Sequence, residues 1–191
     1  GLAPASAAHG QELLAPAVVP PLPAGMSEPT NAALLYGRAL RLIGADAIQK
    51  VRDAQAKGAA IRDMPEIAAL LDSNAGNLAL VIEATKLERC DWGVQYGKGP
   101  LALMDHAGPM RGVVVMLDAH AALLLERGDV PGAVANIAAI FAIAEHISQD
   151  RIMISSLVSV AMTQVGVERV GTLLDLGKVD RAGAQTLLGA I

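Results

Sequence analysis

From residue 30 onward the apolar residues recur at three- and four-residue intervals, and no stretch keeps the two-residue alternation of a half-buried strand. That spacing puts apolar side chains on one helical face, so it confines the fold to packed helices. In the first segment Ala32, Leu35, Tyr36, Ala39, Leu40, Leu42 and Ile43 make such a stripe, with Thr30 or Asn31 as cap and Gly44 as stop. A shorter, more polar helix is predicted over 46–57, ending at Gly58. Pro65 and Glu66 suit a first helical turn, giving a helix to about Leu71, and Ser73 or Asn74 then restarts a longer one to about Arg89. Gly108-Pro109 opens a helix to Arg127, Gly128-Asp129 turns the chain, and Pro131 starts the return helix to about Ser148. Asp150 is expected to cap a long helix over 151–176, and a short one follows over 180–191. Residues 113–117 favour strand by propensity but sit inside a helix-length run. The class is all-α: about seven helices in antiparallel hairpins, as an α-bundle or a short array.

Residues 1–30 read differently. They hold most of the ten prolines and no Lys or Arg, which blocks helix and predicts an extended arm lying across the helical body through Leu13, Leu14, Val18, Val19 and Leu22. The expected organisation is this Pro/Ala-rich arm (1–30) and one helical domain (31–191). The start at Gly1 rather than Met is read as a boundary behind which a signal peptide or lipid-anchored leader has been removed.

The helical part is built from small side chains: 36 alanines and 25 leucines stand against only four aromatics, so helices can approach closely. A net charge of −4 with scattered cations lacks the footprint that phosphate backbones need, and nucleic-acid binding is not expected. The single cysteine, Cys90, excludes an internal disulfide framework and multi-cysteine metal clusters. The longest uncharged stretches, 130–144 and 152–167, fall short of the roughly 20 residues of a membrane span and are read as buried core helices.

The Gly128 turn recurs. At an offset of 49 residues Leu124, Leu125, Gly128, Val130 and Ala133 match Leu173, Leu174, Gly177, Val179 and Ala182, which suggests stacked helical hairpins. The central hairpin resembles a tetratricopeptide-type unit in Gly128-Asp129, Ala133 and Ala121, and departs from it at His120, Ile140 and Glu145. A second series, Asn31 to Tyr36, Cys90-Asp-Trp-Gly93, His106, Arg111, Gly128-Asp129 and Ala144-Glu-His146, resembles an uncharacterised family of apparently exported bacterial helical proteins. That resemblance covers about residues 31–175 and implies export, a periplasmic or cell-envelope location and an all-helical fold. It assigns no catalytic residue.

Residues 90–101 hold three glycines, Pro100, Trp92 and Tyr96, and form a loop. If the hairpin turns near residue 128, Arg111 and His146 are equidistant from the turn and lie at the same end, whereas His120 is about 13 Å away along the axis, too far to share a metal with His146. One end of the hairpin is thus expected to gather Cys90, Asp91, Trp92, Tyr96, His106, Arg111, Glu145 and His146. Such a group has a guanidinium for a carboxylate or phosphate, an aromatic wall and imidazoles. Its structural use is simpler: Asp91 capping its own loop, Arg111 paired with Glu145, and Trp92 plugging the bundle end. Asp91 beside Cys90 opposes a reactive thiolate, no His-x-x-x-His or Glu-x-x-His pair offers a metal site, and the glycines fit no phosphate loop. No catalytic, metal or cofactor residue is assigned. The expected function is a non-enzymatic interaction or scaffold domain that binds a protein partner or itself. The alternative is a small-molecule pocket, conceivably of an enzyme, at the Cys90 to Arg111 end.

Overall fold

The structure, a computed structural model, describes residues 30–58, 60–94, 96, 105–150 and 152–190. The Pro-rich arm and most of the second half of the 90–101 loop lie outside the described residues. Among the described residues the chain is all-helical, without strands: α1 (Ala32–Ile43), α2 (Ala45–Ala56), a 3-10 turn (Ile61–Asp63), α3 (Pro65–Thr85), α4 (Ala107–Arg127), α5 (Val130–Ser148), α6 (Met153–Asp175) and α7 (Arg181–Ala190). The seven helices pack antiparallel, and α5 lies at the centre with α3, α4, α6 and α7 around it.

Local chemistry accounts for the boundaries. Asn31 caps α1 by accepting from the Ala33 N–H, and Gly44 ends it at φ 78°. Pro65 occupies the first turn of α3, where its missing N–H has no helical acceptor to lose. Gly128 closes α4 in the left-handed region, and Asp129 caps α5 by accepting from the Gly132 N–H. The related turn at Gly177 repeats this, with Asp180 accepting from Gly183. Here the likeness weakens, because α7 packs chiefly on α5.

The main core joins α1 to α5 through Tyr36, Leu71, Leu78, Met110, Met116, Leu117, Ile140 and Ile147, with Met162 of α6 added. A smaller cluster holds α7 through Leu187 against Leu125, Val134, Ile137 and Leu173. Close approach over small residues decides two crossings. A Cβ on Gly112 would lie 2.6 Å from Ile48 Cγ2, and one on Gly166 would lie 2.8 Å from Phe141 Cζ, so α2 meets α4 and α6 meets α5 where a side chain is missing.

Four expectations need correction. The expected break at residues 72–73 does not occur: Ser73 and Asn74 bond back to the Leu70 carbonyl and leave α3 continuous. That helix stops at Thr85, short of Arg89, because the Leu87 and Arg89 carbonyls are taken by His146 and by the Ala32 N–H. Asp150 does not cap α6, whose N-terminal flank is Ile152; it faces inward as an acceptor. Finally, residues 152–167 are not a buried core helix.

By length and composition α3, α4, α5 and α6 are each long and apolar enough to cross a membrane. They differ in what covers them: 61% of the most apolar stretch of α5 is buried, but only 17% of that of α6.

Candidate functional site

Of the eight residues expected at one end of the hairpin, Cys90, Asp91, Trp92, Tyr96, His106 and His146 come together there, where the N-terminus of α1, the strand-free segment 86–94, the start of α4 and the end of α5 meet. Arg111 and Glu145 do not join them. Both are exposed and they form no ion pair with each other.

Three rings form a stack. Trp92 lies over His106 at a centroid distance of 4.5 Å and 7° between planes, and on Tyr36 at 5.9 Å and 12°. His146 meets the Tyr36 ring edge-on at 5.7 Å. Tyr36 belongs to the inward stripe of α1 and is fully buried, so its hydroxyl must find a partner inside; it lies 2.8 Å from His146 Nδ1. The other imidazole nitrogen, Nε2, lies 2.7 Å from the Leu87 carbonyl oxygen, which can only accept. Nε2 therefore carries the proton, Nδ1 is the acceptor, and the Tyr36 hydroxyl donates to it. Burial pulls the His146 pKa below its usual value, against the opposing pull of the Leu87 carbonyl and Glu145. Burial also pushes the Tyr36 phenol well above its ordinary range, with Cys90 adding to the effect.

His106 donates from Nε2 to Asp150 Oδ2 at 2.7 Å, and the Tyr96 hydroxyl donates to Asp150 Oδ1 at 3.2 Å. Asp150, seated just past α5, is thereby held from both sides in a buried position. Around the rim Asn31 accepts from the Asp91 N–H and donates to the Asp91 carbonyl, both at 2.9 Å. Gln149 accepts from the Cys90 N–H and donates to the Glu88 carbonyl, both at 3.0 Å. Asp91 caps its own loop, as expected, by accepting from Gly93 N–H at 2.8 Å, and it pairs with Arg89 at the surface. The Trp92 indole N–H is buried and has no hydrogen-bond partner among the described residues.

This arrangement binds segments to one another. The Cys90 thiol is buried, and burial, then Asp150, then Asp91, push its pKa up, so it stays protonated and is no nucleophile near neutral pH. His146 has both nitrogens engaged. Among the described residues no three His, Cys, Asp or Glu side chains converge to hold a metal. Sequence reading missed Asn31, Tyr36, Gln149 and Asp150 as members of this joint. The available signal was a phenol placed in the apolar stripe of α1, where its hydroxyl requires a distant partner.

Two further features lie outside the joint. Asp118 of α4 is held by Arg169 of α6 through bonds of 2.8 and 3.0 Å, and by Gln55 of α2 at 2.8 Å. Between α4 and α6 a groove of about 480 Å³ is lined by Arg52, Arg111, Val114, Ala161, Met162 and Val165, among others. Across the hairpin His120 bonds to Asn136 of α5 at 3.1 Å.

The fold and this joint define an all-helical protein whose clustered polar and aromatic residues fasten helix ends, with an apolar helix left uncovered beside them. No family model, no curated protein and no solved structure matches the chain.

Proposed function

We propose that this chain is a non-enzymatic interaction or scaffold domain that docks a protein partner on the outward face of α6. One observation carries the reading: α6 exposes Met153, Ile154, Leu157, Val160, Val167 and Leu174 along its length, each half exposed or more. An exposed apolar face that recurs along one helix, interrupted by Gln164 and Gly171, marks an interaction surface, whereas scattered apolar residues need no explanation. The inward-facing joint supports the same reading, because its residues are spent on holding helix ends together. A place in the cell envelope is part of the same proposal and rests on the expected resemblance of residues 31–175 alone. A photo-crosslinking residue at position 160, in a chain expressed in bacterial cells, is expected to give a protein-sized adduct. The same residue at exposed Lys50 on α2 should give none. Absence of any protein adduct at position 160 would overturn the reading.

The groove between α4 and α6 favours a second reading, a small-molecule site for an anionic amphiphile. Arg52 and Arg111 line it and form no ion pair with any described side chain, while Val114, Met162 and Val165 supply an apolar wall. Two guanidiniums over such a wall fit a carboxylate or phosphate head on an alkyl chain. On this reading dodecanoate at 100 times its Kd stabilises the protein by about 2.7 kcal/mol in a thermal-shift assay. Arg52→Gln/Arg111→Gln, which changes only exposed side chains, then abolishes the shift. No shift with the wild-type protein removes this reading.

A further inference from the structure

The outward face of α6 has a period. Met153, Leu157, Val160, Gln164, Val167, Gly171 and Leu174 follow one another in alternating steps of four and three residues. In heptad terms Met153, Val160, Val167 and Leu174 are the d positions and Leu157, Gln164 and Gly171 the a positions. Exposure along the apolar members runs from 50% at Val167 to 78% at Met153. The opposite face, through Ser155, Met162, Gly166 and Leu173, is the one buried within the bundle. At ~1.5 Å per residue the exposed seam is about 32 Å long.

We propose that this seam is closed by a second copy of the chain, with the two α6 helices parallel across a two-fold axis; the inference rests on the docking reading above and names its partner. Three observations favour a second copy. From their exposures, the six exposed apolar residues, Ile154 beside the seam included, offer on the order of 700 Å², close to the ~800 Å² that each partner gives to a standard interface. The flanking e and g positions carry little charge: Ile154, Ser156, Ala161, Thr163 and Val170 are neutral, and only Glu168 and Asp175 are charged. In a parallel pair these two face the partner's Thr163 and Val170, so no like charges meet. Gln164 sets the direction. A parallel register brings the two Gln164 side chains opposite each other, where each amide can donate to the other's carbonyl while keeping its 3.0 Å bond to Glu168. An antiparallel register would bury each amide against a valine, at the cost of an unpaired polar group.

Sedimentation equilibrium of the whole chain up to about 100 µM, a range that spans ordinary dimer affinities, is expected to give twice the 19.6 kDa mass. Val160→Glu/Val167→Glu should weaken association by at least ~100-fold with helix content unchanged. Gln164→Cys should form a covalent dimer on mild oxidation, without interference from the buried Cys90. A monomer at the highest concentration overturns the proposal, and so does a dimer indifferent to the glutamate pair. A dimer that Gln164→Cys does not cross-link overturns the parallel register. Flotation of a monomer with phosphatidylcholine vesicles, lost in the glutamate variant, overturns it in favour of a lipid surface. A monomer in solution together with a position-160 adduct of another mass retires self-pairing and leaves the docking reading standing. With no adduct at all, both fall.

Discussion

Replacing His146 with leucine is expected to destabilise the protein by about 3 kcal/mol, because the change strands the buried Tyr36 hydroxyl and the part-buried Leu87 carbonyl at once, and an interior group left unpaired costs roughly 1–3 kcal/mol. The Tyr36 hydroxyl loses its acceptor and the Leu87 carbonyl loses its donor, while the leucine fills most of the ring's volume. For a chain of this size the loss corresponds to a fall of about 6–12 °C in Tm, and a urea titration should show a lower midpoint with an unchanged slope. The same residue sets a pH dependence. Burial lowers its folded pKa below the ordinary value near 6.5, so between those two values the unfolded chain binds a proton that the folded chain refuses. Stability is therefore complete above about pH 6.5 and falls as the pH drops below it, by up to about 1.4 kcal/mol per unit. His146→Leu should flatten that part of the profile. A wild-type slope that survives the substitution would show that His146 is not its source.

The second large effect belongs to the Asp118–Arg169 pair, which is mostly buried and fastens α6 to α4 while Gln55 adds α2. Asp118→Ala leaves a guanidinium in a poorly hydrated place and should cost about 3 kcal/mol, near the lower edge of the range for breaking such pairs. Replacing both partners with apolar residues, Asp118→Leu/Arg169→Met, should cost less than the alanine variant alone, since a buried pair repays little more than its own desolvation. A double-mutant cycle by chemical denaturation reads this directly through the coupling between the two sites. Equal, additive losses would show that the pair is solvated and that α6 is held by packing.

The helices were legible because their signals are local. Asn31, Gly44, Pro65, Gly128 and Asp129 each act within a few residues of their own position, and the structure uses them as the pattern requires. Hairpin symmetry also placed His146 at the end of the hairpin that carries the 86–94 segment. What could not be read is partner choice across long separations. Tyr36 and His146 are 110 residues apart, and Asn31 and Asp91 are 60. Nothing local distinguished Asp150 as a buried acceptor from Asp150 as a helix cap, because a short acceptor just before a helix suits both. Arg111 failed for a related reason: axial level does not fix the angle at which a side chain leaves the helix. α6 misled because apolar residues surround it, and an uncharged run says nothing about which of two apolar faces the bundle will cover.

Trp92 is the chain's one tryptophan, stacked between Tyr36 and His106 with its indole N–H unsolvated. The intrinsic emission excited at 295 nm is accordingly a single-residue signal from the place where α1, α4 and α5 are fastened. It is silent about the Leu187 end of the molecule, whereas circular dichroism weighs every helix alike. Melting curves from the two methods compare one joint with the whole, and any gap between them measures how far the ends of this bundle come apart independently.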